Sequence, residues 1–505
     1  MRLFKKTSPR RNQVRRNIAG EHFLQISRLA NAHNLVSGLL LLLFVALCTS
    51  ILSFEQIQEH NYRDLTPMIV IVALISVAST FYIYHYQRRI IQNHVRAMVL
   101  AGMFCLLLVT TKLGVVLTKQ SSWATGTAVT AAIILAIAYD QRFAIGMSIF
   151  YAALACFAAP PADINLFLIM SAGIFSCCFS LTEIRTRMKL LEVSTLATVI
   201  VFITSISLDF MAKKPTGNIF VNGGWHALAT FLVGLFIQSL LPVIEKTFRI
   251  ATSMTLLDYS DANQPLLKRL AMEAPGTFSH SLLVGSISEA AAESIGCNGL
   301  LCRVGAYYHD IGKINKPGYF VENEIGSVSR HGELSPAMSQ LIIVGHVKDG
   351  IEMAKEYSLP AVLRQFIETH HGTTLVEYFF SEAKKKKDGK HSPPSESEFR
   401  YVGPKPRTKE AAIVMLADTA EGTVRSMPGE LTPTKIETAV HNVAMKRLQD
   451  GQFDECELSL RELSQIEASI SKTLAAHHHG RIAYPKAADE GGDEQSQSEQ
   501  NGRIK

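Results

Sequence analysis

The chain has few charged side chains and no paired-cysteine motif. Only 19% of its 505 residues are Asp, Glu, Lys or Arg, whereas 48% are hydrophobic. A chain of this length is too long for one ordinary domain, and this composition is too apolar for a wholly soluble protein. The eight cysteines form no C-x-x-C pair, and several lie within apolar stretches. Neither a disulfide framework nor a zinc ribbon is therefore predicted.

Long apolar stretches recur in the first half of the chain. A helix needs about 20 apolar residues to cross a bilayer core about 30 Å thick. Eight stretches approach this length and predict eight membrane spans, at 35–53, 67–86, 97–117, 123–139, 144–159, 164–182, 190–208 and 225–243. The first stretch is not a cleavable signal, because it is of spanning length and more spans follow. The lipid bilayer is thus a predicted partner.

Acidic residues are nearly absent from the first 33 residues, which hold eight Lys or Arg and only Glu21. With this segment inside the cell, the connections on its side carry nine Lys or Arg and the opposite connections carry four. Positive charge marks the cytoplasmic side. We therefore expect a multi-pass protein of the cell membrane with both termini in the cytoplasm. Lys112, near the outer end of a span, is expected to extend toward the membrane surface.

The composition changes near residue 258 to a mixed polar and apolar pattern with helical periodicity. This pattern predicts a soluble bundle with helices at 279–296, 299–312, 336–356, 360–370, 408–424, 434–449 and 457–476. The predicted fold class is all-α, a polytopic transmembrane bundle followed by a cytosolic bundle. The predicted segments are a basic N-terminus at 1–33, a transmembrane region at 34–245, a soluble domain at 258–485 and a disordered acidic tail at 486–505. An insertion at 384–407 is also expected to be unstructured.

The soluble region contains an ordered series of metal-binding residue types, five imidazoles and two carboxylates. They are His280, His309, Asp310, His346, His370, His371 and Asp418. A helical bundle can turn such side chains toward one interior point. A donor set of this kind without a thiolate suits Mn, Fe, Ni or Zn better than calcium. Two metal ions fit this number of donors.

The adjacent pair His309 and Asp310 has a specific use in a two-metal site. Consecutive helical residues diverge by about 100°, so the imidazole can bind one ion while the carboxylate bridges both. Two ions about 3.5–4 Å apart can hold a hydroxide, bind a phosphoryl oxygen and stabilise the leaving group. Phosphoester hydrolysis is the predicted chemistry. Lys313, one turn beyond His309, either donates to a phosphate oxygen or is a surface lysine near a helix C-terminus.

The sequence around these residues resembles the HD phosphohydrolase superfamily. The segments that carry the resemblance are APGTFSHS, YYHDIGKINKP, GHVKDG, ETHHGT and LADTAEG. The likeness extends over essentially all of residues 258–485. Within the superfamily, the chain resembles in particular the membrane-anchored, seven-transmembrane HD phosphodiesterases of bacteria, the PgpH type.

This resemblance implies an enzyme that hydrolyses cyclic di-AMP to pApA with a hydroxide activated by two metal ions. It places His280, His309 and Asp418 on one ion, the later three histidines on the other, and Asp310 between them. We predict two divalent ions, Mn or Fe, with Asp310 and Lys313 as the catalytic residues. The implied partner is a cyclic dinucleotide and not a nucleic-acid polymer, and a homo-oligomer stays open.

The chain departs from the family in one respect. Family members place a large extracytoplasmic domain between the first span and the other seven, but here that interval is only 54–66. Sensing by such a domain is therefore not expected. Two alternative functions are an HD enzyme acting on another nucleotide and a membrane receptor whose HD domain binds a nucleotide without cleaving it. A transporter is disfavoured, because the spans contain few ionisable residues.

Overall fold

The computed structural model describes residues 34–58, 65–160, 162–181, 184, 186–248, 250–324, 330–385 and 394–478. These residues form a membrane unit and a soluble unit, and the boundary in the chain lies between Tyr259 and Ser260. β-structure in the described ranges is limited to one isolated bridge between Leu375 and Arg400. The predicted all-α fold class is therefore confirmed.

The membrane unit is a succession of apolar helices joined by short connections. The helices are α1 Asn34–Leu52, α2 Phe54–Gln58, α3 Leu65–Tyr86, α4 Arg88–Ile91, α5 His94–Thr118, α6 Ser122–Ala138, α7 Gln141–Ala158, α8 Ile164–Ser180, α9 Arg187–Met211 and α10 Thr216–Phe248. Six of them, α1, α3, α5, α7, α9 and α10, are long and apolar enough to cross a membrane. The α6 and α8 helices are apolar but have only 17 residues each, so the count of eight spans stays a prediction.

The α6 helix is the most deeply buried part of the membrane unit. It packs against α5, α7, α8 and α10, and its Ala124, Ala128, Ala131 and Ala132 are fully buried. Small side chains let the backbones of neighbouring helices approach closely, which supplies the van der Waals contact that holds helices together in lipid. The alanine-rich sequence of α6 therefore explains its central position.

Lys112 is enclosed and has an acidic partner, and its extension toward the membrane surface stays a prediction. Its side chain is only 6% exposed, and its Nζ donates to Glu55 Oε2 at 2.8 Å. Glu55 belongs to α2, the short helix that follows the first apolar helix. An ion pair offsets the cost of burying a lysine charge. Sequence spacing did not indicate this partner, because Glu55 precedes Lys112 by 57 residues.

The soluble unit is a bundle of shorter helices. After α11 Ser253–Ser260, which lies in the membrane unit except for its last residue, the helices are α12 Pro265–Glu273, α13 Pro275–Ser294, α14 Gly299–Tyr308, α15 Pro336–Glu356, α16 Ala361–Thr369, α17 Glu377–Lys385, α18 Lys409–Arg425, α19 Pro433–Gln449 and α20 Leu460–His478. Their starts follow ordinary capping rules. Ser335, Thr408 and Thr432 each cap a helix by accepting a hydrogen bond from a backbone N–H three residues later.

The core of the soluble unit surrounds α18. Every residue of this helix from Ala411 to Ala417 is buried, and α13, α14, α19 and α20 pack against it. A helix that is apolar on all sides must lie inside a bundle. This burial places the C-terminal half of α18, which begins at Asp418, on a rigid support.

Two sequence predictions for the soluble region are wrong. The predicted helix 299–312 ends at Tyr308, and a 3-10 helix, Ile311–Asn315, follows. The predicted unstructured insertion contains ordered residues on both sides of 386–393, including the 3-10 helix Glu396–Phe399. Arg400 anchors this segment by donating to Asp450 and Glu396. The basic N-terminal segment 1–33 and the tail 486–505 lie outside the described residues, and the domain boundaries stay predictions.

Candidate metal centre

All seven predicted ligand residues come together inside the soluble unit. His280 lies on α13, His346 on α15 and Asp418 on α18. The remaining four lie where helices end, directly after α14 and after α16. They form two groups that share Asp310, one with His280, His309 and Asp418 and the other with His346, His370 and His371. We call these the first group and the second group. That they bind metal ions stays a prediction.

The break after α14 positions the shared carboxylate. His309 still has helical backbone angles, whereas Asp310 leaves them at φ −111° and ψ 16°. The 3-10 helix that follows lies very close to α15. A Cβ atom at Gly312 would lie only 1.8 Å from the carbonyl oxygen of His346. Only glycine permits this approach. This close packing brings His346 of α15 near Asp310.

The two oxygens of Asp310 face different groups. In the first group, Oδ2 lies 3.1 Å from His309 Nε2 and 3.8 Å from His280 Nε2. In the second group, Oδ1 lies 3.3 Å from His346 Nε2 and 3.4 Å from His370 Nε2. One carboxylate therefore faces both groups, one oxygen to each.

Asp418 connects the other members. Its Oδ1 lies 3.1 Å from His280 Nε2 and 3.7 Å from His309 Nε2, and its Oδ2 lies 4.0 Å from His371 Nδ1. The first group thus combines two carboxylates with two imidazoles. The second group combines three imidazoles with the shared carboxylate.

Backbone carbonyl groups determine which imidazole nitrogen faces inward. The Nδ1 atoms of His309, His346 and His370 lie 2.6, 2.5 and 3.0 Å from the carbonyl oxygens of Ala306, Ile343 and Ile367. A carbonyl oxygen can only accept, so each Nδ1 carries the proton and donates it. In the neutral ring, each Nε2 therefore presents a lone pair to the centre of the site.

These inward lone pairs fit a cation. The Nε2 atoms of His346 and His370 are 3.1 Å apart, and two lone pairs at this distance repel each other unless a positive charge lies between them. His309 Nε2 and Asp310 Oδ1 are buried without a hydrogen-bond partner, which is costly for polar atoms. Imidazole and carboxylate donors arranged in this way suit divalent transition metals.

The electrostatics differ between the groups. Burial lowers the pKa of His309, but the Asp310 and Asp418 carboxylates outweigh it and raise the pKa to about 10. Burial also lowers the pKa of His280, and hydrogen bonds to Asp418 and Glu421 reverse the effect and raise it. In the second group, burial holds the pKa of both His370 and His371 below the ordinary value. Those two rings are neutral at pH 7.

Both carboxylates of the site are ionised. Burial raises the pKa of Asp310, but the charges of His309 and Lys313 outweigh it and hold the pKa well below its usual range. The imidazoles of His280 and His309 overcome burial in the same way and lower the pKa of Asp418. Ionised carboxylates are the form that binds metal ions.

Lys313 lies beside the shared carboxylate. Its Nζ donates to Asp310 Oδ2 and to Glu322 Oε1, each at 2.7 Å, and it lies 5.0 Å from the centre of the Phe320 ring. Burial lowers the pKa of Lys313, but the two carboxylates outweigh it and raise the pKa above its ordinary value. Lys313 is therefore an enclosed, charged donor in the site and not a surface lysine. Its catalytic role stays a prediction.

Three residues at the site were not predicted from the sequence. Glu421 Oε2 accepts a hydrogen bond from His280 Nδ1 at 2.7 Å, and Glu322 binds Lys313. Tyr401 stacks on the His371 ring with centroids 4.3 Å apart. Glu421 follows Asp418 by three residues and so shares its helix face, which the sequence could have indicated. The position of Tyr401 depends on the segment predicted to be unstructured.

A cavity of about 890 Å³ opens beside the second group. His346, His371 and Lys313 form part of its wall. Its aromatic residues are Tyr319, Phe320, Tyr378, Phe379 and Tyr401. A cavity of this size, mostly apolar with a few polar groups, is typical of a small-molecule site.

Two family models match the chain. Residues 64–252 match the family described as 7TM receptor with intracellular HD hydrolase, and residues 277–422 match the HD domain. All seven predicted ligands lie within the second range. The chain therefore resembles membrane-bound HD-domain proteins in both of its regions. An HD domain implies dependence on divalent metal ions, and the first match supports a multi-pass membrane protein.

Curated relatives carry a functional name. The chain is 40% identical over 329 residues to the cyclic-di-AMP phosphodiesterase PgpH of Bacillus subtilis, covering 64% of this chain and 45% of the relative. It is 40% identical over 267 residues to PgpH of Listeria monocytogenes, covering 53% of this chain and 36% of the relative. The chain thus spans less than half the length of these relatives.

Solved structures of the Listeria monocytogenes PgpH HD domain are also similar to this chain. One is 43% identical and covers 43% of this chain and 100% of that domain, with a TM-score of 0.41. Another contains cyclic di-AMP and is 43% identical, with 44% of this chain and 100% of the domain covered and a TM-score of 0.40.

Proposed function

We propose that the chain is a membrane-anchored, metal-dependent phosphodiesterase that hydrolyses cyclic di-AMP to pApA. The observation that carries the proposal is the pair of ligand groups sharing Asp310, a donor arrangement suited to two divalent ions. The identity of the substrate rests on the relatives, which are named as cyclic-di-AMP phosphodiesterases.

Seven residues would hold the ions, with the first group on one ion, the second group on the other and Asp310 on both. Mn or Fe suits this mixture of imidazole and carboxylate. Two such ions, when bound, supply positive charge to the phosphoryl oxygens and acidify water enough for it to act as the nucleophile. The carbonyl oxygens and Glu421 hold the imidazoles in the required orientation, as partners of metal-bound histidines do.

The remaining residues would bind and orient the substrate. Lys313 lies 2.7 Å from Asp310 Oδ2 and would donate to a phosphate oxygen beside the metal centre. The aromatic side chains of the adjacent cavity, including Tyr319 and Tyr401, offer flat surfaces on which adenine can stack. Hydrolysis adds one water and breaks one phosphorus–oxygen bond to the ribose 3′ oxygen, which leaves a linear dinucleotide with a 5′-phosphate.

We place the soluble unit in the cytoplasm, together with both termini. The support is the excess of Lys and Arg in the connections on that side of the predicted spans. Cyclic dinucleotide would then reach the site from the cytoplasm. A homo-oligomer is compatible with this arrangement.

The test is product analysis with the full chain in detergent. The protein is stripped with a chelator, reloaded with Mn²⁺ or Fe²⁺ and incubated with cyclic di-AMP, cyclic di-GMP and cyclic AMP. We expect metal-dependent formation of pApA from cyclic di-AMP. Cleavage of only another substrate would assign a different HD phosphohydrolase, and tight binding of cyclic di-AMP without turnover would assign a nucleotide receptor.

A further inference from the structure

The soluble unit has a second cavity, of about 790 Å³, that contains none of the predicted metal ligands. We call it the α19 cavity, because most of its wall comes from α19 and the remainder from α18 and the region around Glu377. It shares no lining residue with the aromatic cavity beside the second group. Its volume is within the range of small-molecule sites, about 300–1,000 Å³.

The lining of the α19 cavity is basic. Its charged residues are Lys435, Lys446 and Arg447 against a single carboxylate, Glu377. Lys446 forms an ion pair with that carboxylate, and Lys435 donates to the backbone carbonyl oxygen of Glu430. The other polar residues are uncharged threonines and one asparagine. This excess of positive charge attracts anions.

Among the described residues, Arg447 has no carboxylate within ion-pair distance. Its Nη2 donates to Thr419 Oγ1 at 3.2 Å, but its Nε atom is buried and has no hydrogen-bond partner. In the described ranges no ion pair involves Arg447, and the carboxylates of Glu377 and Asp450 pair with other basic residues. Burial lowers the pKa of Arg447. The carboxylates of Asp418, Glu377 and Asp450 oppose this shift from beyond ion-pair distance, and an anion in direct contact would stabilise the half-buried guanidinium further.

The N-terminus of α19 contributes to the same cavity. Thr432, the cap residue, and Thr434 and Lys435 of the first turn all line it. The first turn contains no acidic residue, so the positive end of the helix dipole is not compensated there. Pro433 has no N–H and the Lys435 N–H is capped by Thr432 Oγ1, so this end attracts anions chiefly through the helix dipole.

We propose that the α19 cavity binds the phosphate group of a small molecule. The planar guanidinium of Arg447 matches two phosphate oxygens, and Lys435 and the N-terminus of α19, about 18 Å away along the helix axis, add positive charge at the far end of the cavity. The volume leaves room for more than phosphate alone, so a nucleotide or another phosphorylated metabolite fits. This binding does not depend on the proposed hydrolysis.

Calorimetric titration of the full chain in detergent with pyrophosphate tests the proposal. Metal ions are first removed with a chelator, because phosphate groups would otherwise bind at the metal centre. We expect saturable binding by the wild-type protein. Arg447→Met should weaken this binding about tenfold or more, since it removes a charge-assisted hydrogen-bond donor. The matched control Arg461→Met alters an exposed arginine of α20 and should bind as the wild type does.

A second variant covers the case in which Arg447→Met does not fold. Lys435→Met changes an exposed side chain at the far end of the cavity and, because it acts through its charge alone, should weaken pyrophosphate binding by no more than about threefold. Absence of binding by the wild type would overturn the proposal. Unchanged affinity in both folded variants would overturn it as well, because the bound pyrophosphate would then lie elsewhere.

Kinetics with the metal-loaded chain distinguish the sources of the phosphate. If it belongs to the dinucleotide substrate, Arg447→Met should raise the KM about tenfold with little change in kcat. If it belongs to a separate molecule, the KM stays unchanged while pyrophosphate binding is lost. Either result supports the cavity. A chain without any turnover would contradict the proposed function but leave the binding measurement valid.

Discussion

The two halves of the candidate metal centre differ in charge although they share Asp310. The first group adds a second carboxylate, Asp418, and its histidines have pKa values raised by the surrounding acids. The second group has three imidazoles, two of them with lowered pKa values. An ion entering the first group should therefore displace protons, whereas His370 and His371 of the second group already present neutral donors. The comparison shows that one site can contain two ion positions whose metal affinities depend differently on pH.

Removing the shared carboxylate should break both halves at once. Asp310→Ala deletes the oxygens that face each group, so we expect loss of both ions and turnover of cyclic di-AMP below detection. Metal content by mass spectrometry and product chromatography measure the two effects. Asp454→Ala, at an exposed surface position, is the matched control and should retain both. Undiminished turnover in a folded Asp310→Ala protein would remove the basis of the metal-site assignment.

Replacing Glu421, which accepts a hydrogen bond from His280, should weaken metal binding in the first group alone. Glu421→Gln keeps an acceptor for His280 Nδ1 but removes its charge, so the imidazole binds a metal ion less strongly. We expect about 10–100-fold weaker binding of one ion with the other ion unaffected. Titration with Mn²⁺ measures both steps, and Glu437→Gln, at an exposed position of α19, serves as control. Equal weakening of both ions would show that the groups are not independent.

A variant of Lys313 tests whether the site contains a side chain that donates a hydrogen bond to phosphate without binding metal itself. Lys313→Met should lower kcat about tenfold, the effect of one charged hydrogen bond, while two ions remain bound. Lys316→Met changes an exposed neighbour and should leave kcat unchanged. A loss of metal ions from Lys313→Met with normal kcat in the reloaded protein would assign Lys313 a structural role at Asp310.

The smallest expected effect is a difference in pH dependence. The pKa of His309 is raised to about 10, so its ring holds a proton at pH 7 and metal binding must release it. Affinity of the first ion should rise with pH, by up to about tenfold per pH unit for each displaced proton. Affinity of the second ion should change little above neutral pH. Calorimetry in buffers of different ionisation enthalpy counts the released protons, and equal release at both steps would contradict the assignment.

Much of the fold could be predicted from the sequence, because apolar runs and helical periodicity report burial directly. The soluble helices from residue 336 onward begin and end within a few residues of prediction, except α17 Glu377–Lys385, which was not predicted. The break after Tyr308 could not be predicted, since it depends on contact between Gly312 and α15. The order around Tyr401 was missed because a Lys- and Ser-rich composition obscured the Arg400–Asp450 ion pair.

The candidate site was predictable as a set of residue types but not as a geometry. All seven ligand residues come together, yet which nitrogen of each imidazole faces inward depends on carbonyl groups such as that of Ala306. Glu421 could have been predicted, because it follows Asp418 by three residues on one helix. The Lys313–Glu322 ion pair could not, because it depends on the path of the 3-10 segments. The cavity at Arg447 combines α17, α18 and α19, which sequence patterns do not place together.

Electron paramagnetic resonance of the Mn²⁺-loaded full chain tests the central claim most directly. Two ions bridged by Asp310 should give a spectrum of exchange-coupled manganese with two ions per chain. Asp418→Ala should remove the coupling by depleting the first group. A single ion per chain, or two ions without magnetic coupling, would contradict a shared carboxylate between two metal positions.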